Sequence, residues 1–124
     1  MPDWKVSAPK SDDEYFERMT KALFQAGLNW KMIDDKWPNF EKAFAKFSIP
    51  KVAKFGDKQI VKLMENQGIV RNERKIRSTI YNAQQSLVIE TEFGSFKDYF
   101  RSFGKEHQKL MEDLQSRFKH LGES

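Results

Sequence analysis

Between isolated glycines and prolines, the apolar residues of this chain fall at spacings of three and four, the period of one helix face. That pattern predicts an all-α protein, and no short repeat or low-complexity tract interrupts it. Ser11 with Glu14 has the form of a capping box. Phe16, Met19, Leu23 and Ala26 follow it before Gly27, predicting a first helix over about residues 12–26. Asn29 suits the cap of a short helix over residues 30–36. Pro38, whose missing N–H is harmless in a first turn, is expected to open a separate helix running to Phe47. Pro50 and Gly56 bracket a short turn or two, and Asp57 is read as the cap of a helix carrying Ile60, Leu63 and Met64 that stops before Gly68. The longest helix begins at Asn72, where Ile76, Ile80, Ala83 and Leu87 recur at four, three and four, and it should be central. A short aromatic helix from Ser95 to Phe103 lies between Gly94 and Gly104, and Leu110, Leu114, Phe118 and Leu121 mark a last helix ending at Gly122.

A chain of 124 residues suits one core, and its 11 Phe, 3 Tyr and 3 Trp provide the large side chains to fill it. The expected organisation is a flexible segment over residues 1–10 followed by a single helical domain over 11–124. Having 0 Cys, the chain cannot hold a disulfide framework, a thiolate zinc site, an iron–sulfur cluster or a cysteine nucleophile. The only histidines, His107 and His120, have no ligand spacing, so neither a metal nor another cofactor is expected. Gly-x-Ser-x-Gly elbows and phosphate loops are likewise missing from the sequence. Asp12, Asp13, Asp34 and Asp35 sit at helix starts and turns, where carboxylates stabilise the dipole or stay hydrated rather than do acid–base work. Residues 1–10 are too polar for a signal peptide and no window approaches 18 apolar residues, so the expectation is a soluble, cytoplasmic protein away from membranes.

Two stretches stand apart from the helix-forming background. The net charge of +4 and pI near 9.3 permit an anionic partner, and Arg71, Arg74, Lys75 and Arg77 set against Glu73 concentrate cations where the long helix begins. Cations and free backbone donors at such a helix start both suit phosphate, although Arg74 and Arg77 equally suit a solvated surface. The run Gln25-Ala26-Gly27-Leu28-Asn29-Trp30 joins two predicted helices and gathers two amides and an indole around a glycine turn. An indole here either fills core or stands open as a platform for a flat ligand. Its π face would hold a cationic base better than a neutral one, by about 0.5–2 kcal/mol.

The same run, with Asn39-Phe40-x-x-Ala43-Phe44, Phe47, Pro50-x-Val52-Ala53, Gly68-Ile69-Val70-Arg71-Asn72-x-x-Lys75-Ile76 and Asn82-Ala83, resembles the 3-methyladenine DNA glycosylase I family in order and spacing. The resemblance covers roughly Asp12 to Phe103. It implies a helical bundle of the helix-hairpin-helix DNA glycosylase type, acting in base excision repair on double-stranded DNA. Such enzymes turn an alkylated base out of the duplex and hydrolyse its N-glycosidic bond without a lyase step. By the resemblance Trp30 matches a base-pocket tryptophan, with Gln25 and Asn29 as neighbours lining the same pocket; charge at the start of the long helix assigns Arg71, Arg74 and Lys75 to the DNA backbone.

Departures from the family accompany the matches. Ala22 stands where well-known bacterial members place a pocket glutamate, three residues before Gln25, which leaves the identity of the base open. The family's zinc, held by cysteines and histidines, has no cysteine here. An unrelated start replaces the family's N-terminal segment, with Trp4 a conceivable second pocket wall. Phe118 to Ser124 resembles the entry to a helix-hairpin-helix whose backbone amides, at Gly122, hold a phosphate. The second helix of that motif is missing, and the expectation is a bundle incomplete at its C-terminus. Two further readings remain, a catalytically inactive DNA-binding or damage-sensing module and a helical protein–protein interaction domain.

Overall fold

Ser11 accepts a hydrogen bond from the Glu14 amide at 3.2 Å on its side-chain oxygen and so starts α1 (Asp12–Gln25). The computed structural model describes residues 9–119. After α1 come α2 (Trp30–Ala43), a 3-10 turn (Ala45–Phe47), α3 (Ile49–Ala53), α4 (Asp57–Glu65), α5 (Glu73–Phe93), α6 (Phe96–Arg101) and α7 (His107–Arg117). The described residues contain no strand, and the fold is all-α as the spacing predicts. Trp4, Leu121 and Gly122 lie outside the described residues; of the expected hairpin entry only Phe118 and Lys119 are described, and there the last helix has already ended at Arg117, with Phe118 extended rather than helical.

α5 is central, packing against α1, α3, α4 and α6. Asn72 caps it by accepting from the Lys75 amide at 3.1 Å. Its buried face differs from the expected one. Ile76, Ile80 and Ala83 are buried, but Leu87 and its neighbour Val88 are exposed, and Thr79, Asn82, Ser86 and Ile89 take the inner positions. Neighbours on several sides require small side chains for close approach. The Thr79 and Ser86 hydroxyls donate to the Lys75 and Asn82 carbonyls at 2.8 Å each, so the burial leaves no hydroxyl unsatisfied.

Pro38 does not start a helix. It lies inside α2, which runs unbroken from Trp30 to Ala43 where two helices, residues 30–36 and Pro38 to Phe47, were expected. Ile33, Trp37, Phe40 and Phe44 form one buried stripe at spacings of four, three and four across the proline. Pro38 and Asp34 face solvent, where water can satisfy the carbonyl that loses its donor. Beyond Phe44 the chain turns through three consecutive left-handed residues, Ala45, Lys46 and Phe47 (φ 53°, 56° and 57°). Such residues cost roughly 1–2 kcal/mol each. Burying Phe44 and Phe47, the latter stacked on Trp37 at 5.0 Å, offsets that strain. A smaller difference lies at α4, where Gly56 rather than Asp57 is the cap and Gln59 Oε1 accepts from the Gly56 amide at 2.8 Å.

The acids at the start of α1 fasten other elements. Asp12 accepts from the Phe96 amide and Asp13 from the Ile49 amide, both at 3.0 Å, so one helix turn caps α6 and α3. Glu90 on α5 shares this region. Burial, then a hydrogen bond and the charge of Asp12, then the charge of Asp13, push its carboxyl from 4.5 up to about 7. The native chain therefore holds this proton more tightly than the unfolded chain. The resulting stabilisation is full below pH 4.5 and is lost as pH rises through 7. Glu90→Gln should raise the melting temperature at pH 8 by about 3 °C, on the order of 1 kcal/mol after allowing for solvent screening, with no gain at pH 4.5. Thermal scans at the two pH values check this, and equal shifts at both would refute the protonation argument.

The end of the described chain is tied back onto α5. Asn82, buried on α5, donates to the Lys119 carbonyl at 3.1 Å and accepts from its amide at 2.8 Å. Arg117 pairs with Asp113 at 2.6 Å and Glu92 at 3.1 Å, and its guanidinium lies over the rings of Phe93 and Tyr99.

Candidate functional site

α1 ends where its sequence stops supporting a helix. The Ala26 amide still donates to the Ala22 carbonyl at 3.1 Å, but Gly27 takes φ +74°, a left-handed conformation suited to glycine, and the Leu28 amide closes the turn on the Gln25 carbonyl at 3.0 Å. Asn29 then starts α2 by accepting from the Met32 amide at 3.2 Å on its side-chain oxygen. Its oxygen is thereby engaged, leaving the Nδ2 amino group for a ligand.

The two indoles of α2 have opposite fates. Trp37 is 6% exposed, stacked between Phe40 and Phe47, and its Nε1 donates to Glu17 at 2.8 Å. Trp30 is 63% exposed. Of the two roles open to Trp30, filling core or standing open, the structure gives it the second. Gln25 is half-buried at the end of α1, and Leu28 and Asn29 are exposed beside the indole in sequence.

The basic start of α5 lies against this corner. Lys75 Nζ donates to the Ala26 carbonyl at 2.9 Å and to the Phe24 carbonyl at 3.4 Å, joining two segments about fifty positions apart. Burial pulls this ammonium below its ordinary value of 10.5. Lys75 is thus turned toward α1, whereas Arg71 and Arg74 are exposed. Arg77 is paired with Glu73 at 2.8 Å. The approach to α5 is held by Asn39, whose Nδ2 donates to the Gly68 carbonyl at 3.1 Å. A Cβ on Gly68 would lie 3.0 Å from that same amide nitrogen and 3.1 Å from Asn66 Oδ1, so a side chain there would have to push the two asparagines aside. The lysine clamp and the Asn39 contact escape sequence reading, because each partner is a backbone carbonyl that no residue type marks.

Ala22 is exposed one turn before Ala26 and brings no carboxylate to the corner. The acids of the neighbouring turns are engaged, Asp34 with Lys21 at 2.6 Å and Glu17 with Trp37. A separate groove of about 490 Å³ lies between α4 and α5, where Ile60, Val61 and Met64 are flanked by Asp57, Glu65, Glu73 and Arg77; three acids face one cation that is itself paired with Glu73, which disfavours phosphate. Among the described residues, no helix is long and apolar enough to cross a membrane.

Comparison with known proteins gives one consistent result. The model of the methyladenine glycosylase family matches residues 2–121. The DNA-3-methyladenine glycosylase of Haemophilus influenzae is 30% identical over 113 residues, covering 90% of this chain and 60% of that protein. DNA-3-methyladenine glycosylase 1 of Escherichia coli is 32% identical over 102 residues, covering 82% and 54%. The chain thus spans between half and two thirds of these relatives. Among solved structures, 3-methyladenine DNA glycosylase I from Staphylococcus aureus superposes with a TM-score of 0.80 at 27% identity, covering 90% of this chain and 70% of that one. A tyrosine-to-phenylalanine variant of 3-methyladenine DNA glycosylase I, solved with 3-methyladenine, gives 0.82 at 26% identity, covering 94% and 73%.

Proposed function

This chain belongs to the methyladenine glycosylase family, and from that premise we propose that it binds double-stranded DNA carrying an alkylated purine, turns the base out and hydrolyses its N-glycosidic bond. The observation that carries the reading is the exposed indole of Trp30 on a glycine corner that Lys75 joins to the basic start of α5. A purine alkylated at a ring nitrogen carries positive charge, so its glycosidic bond is already weakened. Water adds to the sugar carbon, the carbon–nitrogen bond breaks, the base departs neutral with the bonding pair, and the water's proton goes to solvent. Little acid–base machinery is demanded. The larger energetic task is holding the base outside the stack, and an electron-rich indole face favours the cationic base over an undamaged purine. Gln25 and the Nδ2 group of Asn29 offer hydrogen bonds to the base edge, and Arg71 and Arg74 offer charge to the backbone.

The direct test incubates the protein with alkylated duplex DNA and follows release of free 3-methyladenine by chromatography. Release that grows with protein concentration is expected. Ala22 supports one other reading, a scaffold that binds damage without cleaving it, because the corner offers no carboxylate to a cationic base. That reading predicts duplex binding with no release. Backbone contact has its own measurement. The doubly substituted Arg71→Gln, Arg74→Gln protein should bind duplex more weakly whatever its sequence, and the slope of log affinity against log salt should fall by about 2. An unchanged slope would remove both arginines from the interface.

A further inference from the structure

We propose that Lys75 is a positioning residue for the base site, its ammonium completing the end of α1 and thereby fixing the glycine corner that carries Trp30. The inference rests on the reading of that corner as a base site and adds a residue to it.

Helix ends leave carbonyls without intrahelical donors. At the end of α1 the Ala22 carbonyl is taken by the Ala26 amide and the Gln25 carbonyl by the Leu28 amide. The Phe24 and Ala26 carbonyls receive Lys75 Nζ, at 3.4 Å and 2.9 Å. The last turn of α1 has no basic residue of its own, so α5 supplies the cation that a helix C-terminus favours. Lys75 can do so firmly because its own backbone is fixed by the Asn72 cap at 3.1 Å. The corner has little else to hold it. Residues 26–30 are all exposed, and the space where Gly27 would carry a Cβ is open to 4 Å. Apolar packing resumes at Met32, partly buried against the core, and at Ile33, which is fully buried. Burial lowers the lysine's proton affinity, consistent with an ammonium withdrawn from water onto these carbonyls.

The test uses the full chain, in which Trp30 is exposed and Trp37 buried, with a Trp30→Phe protein as the control that assigns the fluorescence changes to Trp30. Free 3-methyladenine is titrated while tryptophan fluorescence is followed, and iodide quenching reports how Trp30 is held. Lys75→Met keeps the apolar stem and removes the ammonium. Its affinity for 3-methyladenine should fall about tenfold, its quenching should change, and its melting temperature should move by only a few degrees. Lys75→Arg, which restores a cation with several donors, should recover most of the affinity, a rescue that a purely packing role would not give. Should the methionine variant fail to unfold cooperatively, Lys75→Gln takes its place and is read the same way. Wild-type protein that ignores 3-methyladenine would overturn the base-site reading itself. Wild-type binding with equal binding by the lysine variants would overturn this inference alone.

Discussion

Trp30→Ala is expected to weaken binding of free 3-methyladenine by up to about thirtyfold, within the roughly 1–3 kcal/mol that a base gains by stacking on an aromatic side chain, and to lower base release from alkylated DNA in parallel. The melting temperature should stay within a degree or two of wild type, because an indole that is 63% exposed contributes little to the core. The separation of the two effects is what makes the experiment informative. Trp37, about two turns further along α2, is buried between two phenylalanines and hydrogen-bonded to Glu17, so truncating it would cost stability first and binding only as a consequence. A Trp30→Phe protein should fall between wild type and alanine, since a smaller ring keeps part of the stacking. Titration calorimetry with 3-methyladenine beside a thermal scan checks both halves. An alanine variant that binds the base as well as wild type would leave the indole without a role in recognition.

Much of the corner is legible in the sequence, and its physical reasons are local. Ser11, Asn29, Asn72 and Ser95 each cap the helix that follows them, because a short polar side chain needs only an amide three residues on. The exposure of Trp30 is not legible. By spacing it shares a face with Ile33 and Trp37, and it stays open because α1 has ended beside it and Ala26 and Gly27, across the turn, carry too little side chain to cover it. Local rules also misread Pro38 as a boundary, where the burial of Phe40 and Phe44 on the far side decides in favour of one helix. They place Leu87 inside although the inner positions of α5 go to Thr79, Asn82 and Ser86, because period alone does not tell how many neighbours a helix will have. The lysine clamp is the extreme case. Lys75 reads as one more cation in a basic run, and only the fold brings two carbonyls to it from α1.

Phe44→Ala should cost about 3–5 kcal/mol, a large part of the 5–15 kcal/mol that typically separates a domain from its unfolded state. The ring is fully buried and lies 5.7 to 6.4 Å from those of Phe24, Phe40, Phe47 and Phe55. Its loss therefore opens a cavity between α1, α2 and the chain entering α4, and no neighbouring element is free to collapse into it. Position makes the loss worse than volume alone. Phe44 is the cap of α2, its amide donating to the Phe40 carbonyl at 2.9 Å, and the left-handed turn at Ala45–Phe47 begins immediately after it. That strained turn persists because a buried ring anchors each side, so removing one ring withdraws the burial that offsets the strain. Urea titration should show the midpoint shifted strongly downward, with wild-type 3-methyladenine binding regained in proportion to the folded fraction as temperature is lowered. The proportionality matters as much as the shift, because Phe24 belongs to the same ring cluster and also supplies a carbonyl to Lys75, so the core beneath the corner and the corner itself share a residue. A variant that unfolds at the wild-type urea midpoint would show that the aromatic cluster does not carry the fold.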